Sequence, residues 1–211
     1  MKRRSQTGGR LGRIGIGAAV TAGAALLWAA SAGAQETPQE MRERLRRAVQ
    51  AGPAAAENAD RPAASEALRE MFGEELVDAS RTARSVNDLA GKRVAIYFSA
   101  SWCGPCRAFT PRLIEAYQAW QEADEAVEVV LVSLDRSAAD MRQYMRQARM
   151  PWLAVPHGSE QADALRERFQ VRGIPMLVVV DAEGRTLSTS GRGEVGQQGA
   201  AALDRWKAAS P

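Results

Sequence analysis

The stretch that decides the fold lies between Val94 and Pro111 and reads VAIYFSASWCGPCRAFTP. Its first five residues form a continuous apolar run with β-branched and aromatic side chains, which is typical of a strand buried on both faces of a parallel sheet. After Cys103, apolar residues recur at the three- and four-residue spacing of an amphipathic helix; they are Phe109, Leu113, Ala116, Tyr117 and Trp120. The sequence therefore predicts a buried strand, a short turn, and a helix that opens with two cysteines.

Cys103 and Cys106 are the only cysteines of the 211-residue chain, and three kinds of site use such a pair. A structural disulfide across two intervening residues closes so short a loop that its gain in stability is small. A structural zinc site needs four ligands, whereas the chain offers two thiols and one histidine, His157. Redox chemistry needs only the pair, because one thiolate attacks a disulfide and the second thiol resolves the mixed disulfide. We therefore expect a redox-active disulfide between Cys103 and Cys106.

The position of the pair at a helix start assigns a role to each thiol. The first backbone N–H groups of a helix lack partners within the helix, and its dipole is positive there, so a thiolate at Cys103 is favoured. Cys103 is the predicted nucleophile. Cys106, three residues into the helix, is expected to be more buried and to act as the resolving thiol. Pro105 fits the first helical turn, where a missing N–H costs nothing.

Several segments resemble the thioredoxin superfamily. The Trp-Cys-Gly-Pro-Cys run resembles the thioredoxin active site, Pro111 matches the proline that kinks its helix, and Gly173-Ile174-Pro175 before an apolar run resembles its cis-proline loop. The tryparedoxin and nucleoredoxin branch is more similar still, on the segments 97–102, 109–111, 131–135 and 150–156. The resemblance covers about Met71 to Gly193. It implies a thioredoxin-like α/β fold with a central mixed β-sheet flanked by helices.

The resemblance also implies a substrate surface around the two catalytic cysteines. Its members are Trp102, Gly104, Pro105, Ile174 and Pro175. Trp102 is expected to be exposed, because a residue just before a helix-opening cysteine cannot share the buried face of Phe98. A cis Ile174–Pro175 bond would expose the Ile174 backbone beside Cys103, where an extended substrate can pair as an added strand. No cofactor and no metal are implied.

The sequence departs from the family pattern at two positions, Tyr97 and Gly104. Tyr97 stands where thioredoxins carry a buried aspartate that accepts a proton from the second thiol. Asp135 is an alternative acceptor, although an acid at the end of a strand is more often a cap or turn residue. Tryparedoxins typically read Cys-Pro-Pro-Cys, so Gly104 gives no reason to expect trypanothione as reductant. His157 is expected to be exposed and without function.

The first 34 residues read as a signal peptide. A basic segment precedes an uncharged stretch, and Ala32-Gly33-Ala34 fits the small-residue pattern of signal peptidase, so the mature chain is expected to begin at Gln35. An uncleaved membrane anchor is the alternative, and Arg3-Arg4 leaves the export route, general secretory or twin-arginine, open. The leader holds five of the 28 basic residues and none of the 25 acidic ones. The remaining body is slightly acidic, so nucleic-acid binding is not expected.

The rest of the chain divides into a connecting segment and one domain. Residues 35–63 are expected to form an amphipathic helix, with Thr37 as its cap and Met41, Leu45 and Val49 on one face, followed by a linker. Residues 64–211 form the predicted thioredoxin-like domain, and we expect a monomer. Its predicted strands are 75–79, 94–98, 127–134, 176–180 and 186–190, and its helices after the active-site helix are 138–147, 161–169 and 198–208.

These features predict a thiol-disulfide oxidoreductase in the periplasm or a similar extracytoplasmic compartment. Reduction of protein disulfides is favoured because Gly-Pro between the cysteines resembles thioredoxin, and a reductase there needs a membrane protein as electron donor. A disulfide oxidase or isomerase remains an alternative, as does a Cu(I)-binding module that uses both thiolates and His157. A peroxiredoxin does not fit, because Ala95 and Ala100 occupy the positions of its proline and threonine.

Overall fold

The structure, a computed structural model, describes residues 37, 39, 41–42 and 62–209. The proposed signal peptide, and the larger part of the helix and linker proposed for residues 35–63, lie outside these residues. Of that helix, Gln39, Met41 and Arg42 are helical, and the Met41 N–H donates to the Thr37 carbonyl. Within the described ranges, no helix has the length and apolar character needed to cross a membrane.

Seven strands form one mixed sheet in the order β2-β1-β5-β4-β3-β6-β7. In chain order they are β1 (Glu75–Val77), β2 (Ala83–Ser85), β3 (Arg93–Ser99), β4 (Val127–Ser133), β5 (Leu153–Ala154), β6 (Met176–Val180) and β7 (Thr186–Ser188). Strand β3 pairs in parallel with β4 and antiparallel with β6. This central place explains the apolar run of β3, because both faces of such a strand are covered.

Within residues 62–209, six α-helices accompany the sheet: α1 (Glu66–Phe72), α2 (Gly104–Glu122), α3 (Ala138–Gln147), α4 (Glu160–Arg168), α5 (Gly191–Gln198) and α6 (Ala202–Ala208). Short 3-10 turns occupy Val86–Leu89 and Gly199–Ala201. Serine side chains cap the starts of three helices, because their oxygens accept from otherwise unpartnered N–H groups; these are Ser65, Ser137 and Ser159.

Alternate residues of β3 feed two separate hydrophobic cores. Ala95 and Tyr97 face a cluster built with side chains of α2, α3, α5 and α6. Val94, Ile96 and Phe98 face a second cluster built with α1 and α4. The period of two along a strand thus places one helical layer on each face of the sheet, and the predicted thioredoxin-like α/β architecture is confirmed.

Most predicted elements are found within a few residues of their predicted bounds, and the helix 138–147 and the strand 176–180 match at both ends. The predicted single helix 198–208 is wrong, because residues 191–208 form α5, a 3-10 turn and α6. Helix α5 contains three glycines. Because glycine disfavours helix interiors, residue propensities do not predict a helix there. The sequence reasoning also missed α1, β2 and β5, each of seven residues or fewer.

Candidate active site

Cys103 occupies the N-cap position of α2, directly after the turn that follows β3. Its Sγ accepts a hydrogen bond from the Cys106 N–H at 3.2 Å. Pro105 lies in the first turn, as predicted, and the two sulfurs form a disulfide with the Cα atoms 5.2 Å apart. The helix start therefore directs an N–H group and the positive end of its dipole at Cys103, the arrangement that stabilises a thiolate there in the reduced protein.

The two thiols differ in their access to solvent. Cys106 is completely buried, whereas Cys103 retains 6% of its surface. Cys103 is thus the more accessible thiol, as predicted, although most of its surface is covered. Because little of Cys103 is open, a substrate disulfide must be brought to it along a defined approach.

The loop before β6 forms one side of this approach. The Ile174–Pro175 peptide bond is cis, as the resemblance implied. The Ile174 carbonyl oxygen lies 3.6 Å from the Cys103 Sγ. A backbone acceptor therefore faces the reactive sulfur, in the place where an extended substrate could pair with it.

Trp102 forms the other side of the approach and is 57% exposed. Its indole Nε1–H donates to the Leu134 carbonyl at 3.1 Å, so the ring is anchored although its face is open. An anchored, exposed aromatic side chain is suited to contact with a partner polypeptide. Gly104 and Pro105 are exposed beside it. Of the five proposed substrate-contact residues, Trp102, Gly104 and Pro105 are exposed beside Cys103, Ile174 is half-buried and directs its carbonyl at the sulfur, and Pro175 is buried.

Asp135 holds the active-site turn in place. Its carboxylate accepts from the Ser101 N–H at 2.8 Å and from the Ser101 hydroxyl at 2.6 Å, while its second oxygen accepts from the Ser133 hydroxyl at 2.8 Å. These contacts support the interpretation of Asp135 as a turn residue. They position the segment that leads into Trp102 and Cys103.

His157 departs from the expectation of an exposed, idle side chain. It is half-buried, and its Nε2 lies 2.9 Å from the Asp135 carbonyl oxygen. Nothing in the local sequence indicates this contact, because it joins two loops that follow different strands.

A buried group of hydroxyls lies under the helix start, and the sequence reasoning did not identify it. The Thr110 hydroxyl lies 2.9 Å from the Cys106 carbonyl oxygen, 2.9 Å from the Tyr97 hydroxyl and 2.8 Å from the Tyr144 hydroxyl. Burial raises the pKa of Tyr97 well above its ordinary value. Tyr97 therefore supplies a neutral hydroxyl where thioredoxins carry an aspartate, and no carboxylate is present at this position to accept a proton.

Within the described residues, no three side chains of His, Cys, Asp or Glu are grouped as a metal site would require. His157 is instead engaged with the Asp135 carbonyl. The geometry therefore gives no support to the Cu(I)-binding alternative.

Comparison with known proteins gives consistent matches. The family model described as "Thioredoxin-like" matches residues 91–186. Tryparedoxin of Trypanosoma brucei brucei is 42% identical over 53% of this chain and 76% of its own length. Nucleoredoxin of Bos taurus is 38% identical over 61% of this chain, but the chain spans only 29% of that relative. Probable nucleoredoxin 1 of Arabidopsis thaliana is 44% identical over 54% of this chain and 20% of its own length.

Solved structures agree with the sequence matches. Tryparedoxin II from C. fasciculata aligns with a TM-score of 0.59 and 40% identity, over 64% of this chain and 94% of that structure. A structure of tryparedoxin II complexed with glutathionylspermidine aligns with the same TM-score and identity, over 64% of this chain and 95% of that structure.

Proposed function

The chain belongs to the thioredoxin-like family, whose nucleoredoxin and tryparedoxin members are thiol-disulfide oxidoreductases, and we propose that it reduces protein disulfides through Cys103 and Cys106 in an extracytoplasmic compartment. The observation that carries this proposal is the Cys106 N–H directed at the Cys103 Sγ from a helix start. That geometry favours a thiolate on the more accessible of the two cysteines.

The reaction follows from this geometry in two exchanges. The Cys103 thiolate attacks one sulfur of a substrate disulfide, which forms a mixed disulfide and releases one substrate thiolate. Cys106 then loses its proton and attacks the Cys103 Sγ, which releases the second substrate thiolate and leaves the Cys103–Cys106 disulfide of the structure. The substrate gains two electrons, and its two thiolates take up protons from solvent. A dithiol donor must then reduce the enzyme for another turnover.

Trp102, Ile174 and Pro175 have a positioning role in this scheme. The anchored indole and the carbonyl of the half-buried Ile174 lie beside a sulfur that is only 6% exposed. A substrate must therefore lie along these groups for its disulfide to reach Cys103 in line. The same surface is proposed to receive the electron donor.

The direction and the compartment are part of the proposal. Support for export comes from the Ala32-Gly33-Ala34 pattern after an uncharged stretch. An exported compartment is oxidising, so a reductase there needs a membrane protein that delivers electrons. Gly104 and Pro105 add no cation beside Cys103, which favours a potential closer to thioredoxin, about −270 mV, than to the periplasmic oxidant at about −120 mV.

The two cysteine variants test the chemistry. Cys103→Ser is expected to abolish catalytic reduction of insulin disulfides, because it removes the attacking sulfur. Cys106→Ser is expected to retain the first exchange and to accumulate mixed disulfides, which mass spectrometry detects. Alkylation of the reduced protein should modify Cys103 first, and equal rates at the two thiols near neutral pH would contradict the assignment.

Equilibration of the purified protein with glutathione buffers tests the direction. A reductase is expected to show a midpoint potential well below about −180 mV, the value of protein disulfide isomerase. A midpoint above that value would instead make the protein an oxidase or isomerase.

A further inference from the structure

Two surface grooves meet at His157, beside the active-site turn. The first, of about 330 Å³, is lined in part by Trp102, Asp135, His157 and Arg166. The second, of about 260 Å³, is lined by His157 together with Val77, Arg81, Met141, Arg142 and Pro156, among others. His157 lines both grooves, so the two adjoin at this residue, and Trp102 belongs to the wall of the first.

The histidine shared by the two grooves is linked to the active-site turn through Asp135. His157 Nε2 lies 2.9 Å from the Asp135 carbonyl oxygen. The Asp135 carboxylate in turn holds Ser101, two residues before Cys103. The first groove therefore adjoins the active-site turn, and the second adjoins the first at His157.

The two grooves differ in charge. In the first, Arg166 forms an ion pair with Asp163 at 3.0 Å, so its positive charge is compensated. The second carries Arg81 and Arg142, and no carboxylate is among its lining residues. Neither guanidinium takes part in an ion pair within the part of the chain that the structure describes.

Arg81 also sits in an unfavourable backbone conformation. In the turn between β1 and β2 the Asp78 carboxylate accepts from the N–H groups of Ser80 and Thr82, and Arg81 between them has a φ of +79°. Glycine adopts this left-handed conformation freely, whereas an arginine there is strained. The turn itself does not require the arginine side chain, because a glycine adopts this backbone conformation without strain.

We propose that the groove around Arg81 and Arg142 binds an acidic segment of the protein disulfide substrate during the attack by Cys103. The two guanidinium groups supply the complementary charge, and Val77, Met141 and Pro156 supply apolar contacts for the aliphatic parts of glutamate side chains. Two grooves that adjoin at His157 suit an extended polypeptide rather than a small thiol. This inference rests on the proposed function of the cysteine pair.

Two peptides with the same disulfide test the proposal, one flanked by glutamates and one by serines. The variant Arg81→Gly/Arg142→Gln is expected to lower kcat/KM for the acidic peptide about tenfold, mainly through KM, since exposed charge pairs contribute modestly each. Its kcat/KM for the serine peptide should stay within about twofold of wild type. Arg81→Gly also fits the left-handed backbone, so the variant is expected to fold.

The matched control is Arg112→Gln/Arg205→Gln, which removes the same charge from exposed positions in α2 and α6. An equal loss in the control, or an equal loss on the serine peptide, would overturn the proposal. Binding of a cysteine-free glutamate peptide to the oxidised protein, followed by fluorescence anisotropy, measures the groove without turnover. Tighter binding of this peptide to wild type than to the groove variant would support the proposed binding groove. If neither disulfide peptide is reduced, that failure would contradict the proposed function but not the groove.

Discussion

At the scale of single residues, the Thr110 hydroxyl joins the active-site helix to the sheet. It lies within 2.9 Å of the Cys106 carbonyl and of the hydroxyls of Tyr97 and Tyr144, and all of these groups are buried. Buried polar groups require partners, because a donor or acceptor left without one loses its hydration without compensation. Thr110 is therefore the nearest hydroxyl partner of both tyrosines, whose further partners are the Cys106 carbonyl for Tyr97 and the Ser99 hydroxyl for Tyr144, both at 3.3 Å.

Thr110→Val is expected to lower the free energy of unfolding by about 1–3 kcal/mol, because it keeps the side-chain volume but removes the shared hydroxyl. Thr110→Ser is the matched control, since it keeps the hydroxyl and loses only a methyl group. Urea unfolding of the oxidised proteins measures both. Loss of the buried methyl group alone is expected to cost the serine variant about 1 kcal/mol, and a valine variant as stable as wild type would show that the hydroxyl cluster contributes nothing.

At the scale of elements, two connections around β6 depend on close contacts. Helix α5 begins at Gly191, where an added Cβ would lie 2.9 Å from the Leu177 carbonyl oxygen and 3.2 Å from its side chain. At the other end of β6, Asp181 accepts from the N–H groups of Glu183 and Arg185 and from the Arg185 guanidinium. The first contact is steric and is therefore sensitive to an added methyl group. The second is electrostatic and is therefore sensitive to pH.

Gly191→Ala is expected to destabilise the protein by about 1–3 kcal/mol, because backbone of β6 must shift to admit the methyl group. Gly193→Ala in the same helix is the control, because a Cβ there meets nothing within 4 Å. The control is expected to be neutral or stabilising by about 0.5–1 kcal/mol, as alanine favours a helix over glycine. Thermal unfolding separates the two, and similar melting temperatures would refute the close contact.

The turn at Asp181 predicts a pH dependence. Burial opposes ionisation of this carboxyl, but the hydrogen bonds and charge of Arg185 hold its pKa below the ordinary 3.8. A lowered pKa in the folded state contributes stability above that ordinary value and loses it as the pH falls through the folded pKa. The stability difference between wild type and Asp181→Asn should therefore be constant near neutral pH and shrink below about pH 4.

Denaturant unfolding at a series of pH values measures this difference. Asp204→Asn, which changes an exposed carboxylate of α6, serves as the control and should show no such convergence. A difference for Asp181→Asn that stays constant down to pH 2 would disprove the role of the Asp181 charge.

At the scale of the whole molecule, charge is unevenly distributed along the chain. The formal net charge of +3 depends on the five basic residues of the first 34. If that leader is removed as we propose, the remaining protein is slightly acidic, and the groove around Arg81 and Arg142 is a local cationic site on it. Such a local charge affects which partner binds, and in which orientation, more than it affects the strength of binding.

The mature protein is predicted to begin at Gln35 outside the cytoplasm. Mass spectrometry of the N-terminus, after expression of the full chain in a bacterial host with cell fractionation, tests this. Ala34→Leu should block processing, because only small side chains fit the peptidase at that position, whereas Ala30→Leu should not. If the wild type keeps Met1 and is found in a membrane fraction, the leader is not cleaved and acts as a membrane anchor instead.

Local patterns in the sequence were sufficient for β3, for the helix that starts after Cys103, and for the different burial of Cys103 and Cys106. Side-chain periodicity and the unpartnered N–H groups of a helix start depend on neighbours within a few residues, so the sequence alone carries them. The position of Trp102 directly before a helix-opening cysteine also predicted its exposure, and the segments resembling known families added the cis bond at Pro175.

Tertiary structure alone decided the contacts between distant segments. Tyr97, Thr110 and Tyr144 come from β3, α2 and α3, and their hydroxyls meet only because the strand period and the packing of both helices bring them to one point. Helix α5, rich in glycine, forms where β6 leaves room for no side chain at Gly191. His157 and Arg81 likewise acquire their neighbours from separate loops. Such contacts depend on the register of strands and the packing of helices, which no short stretch of sequence encodes.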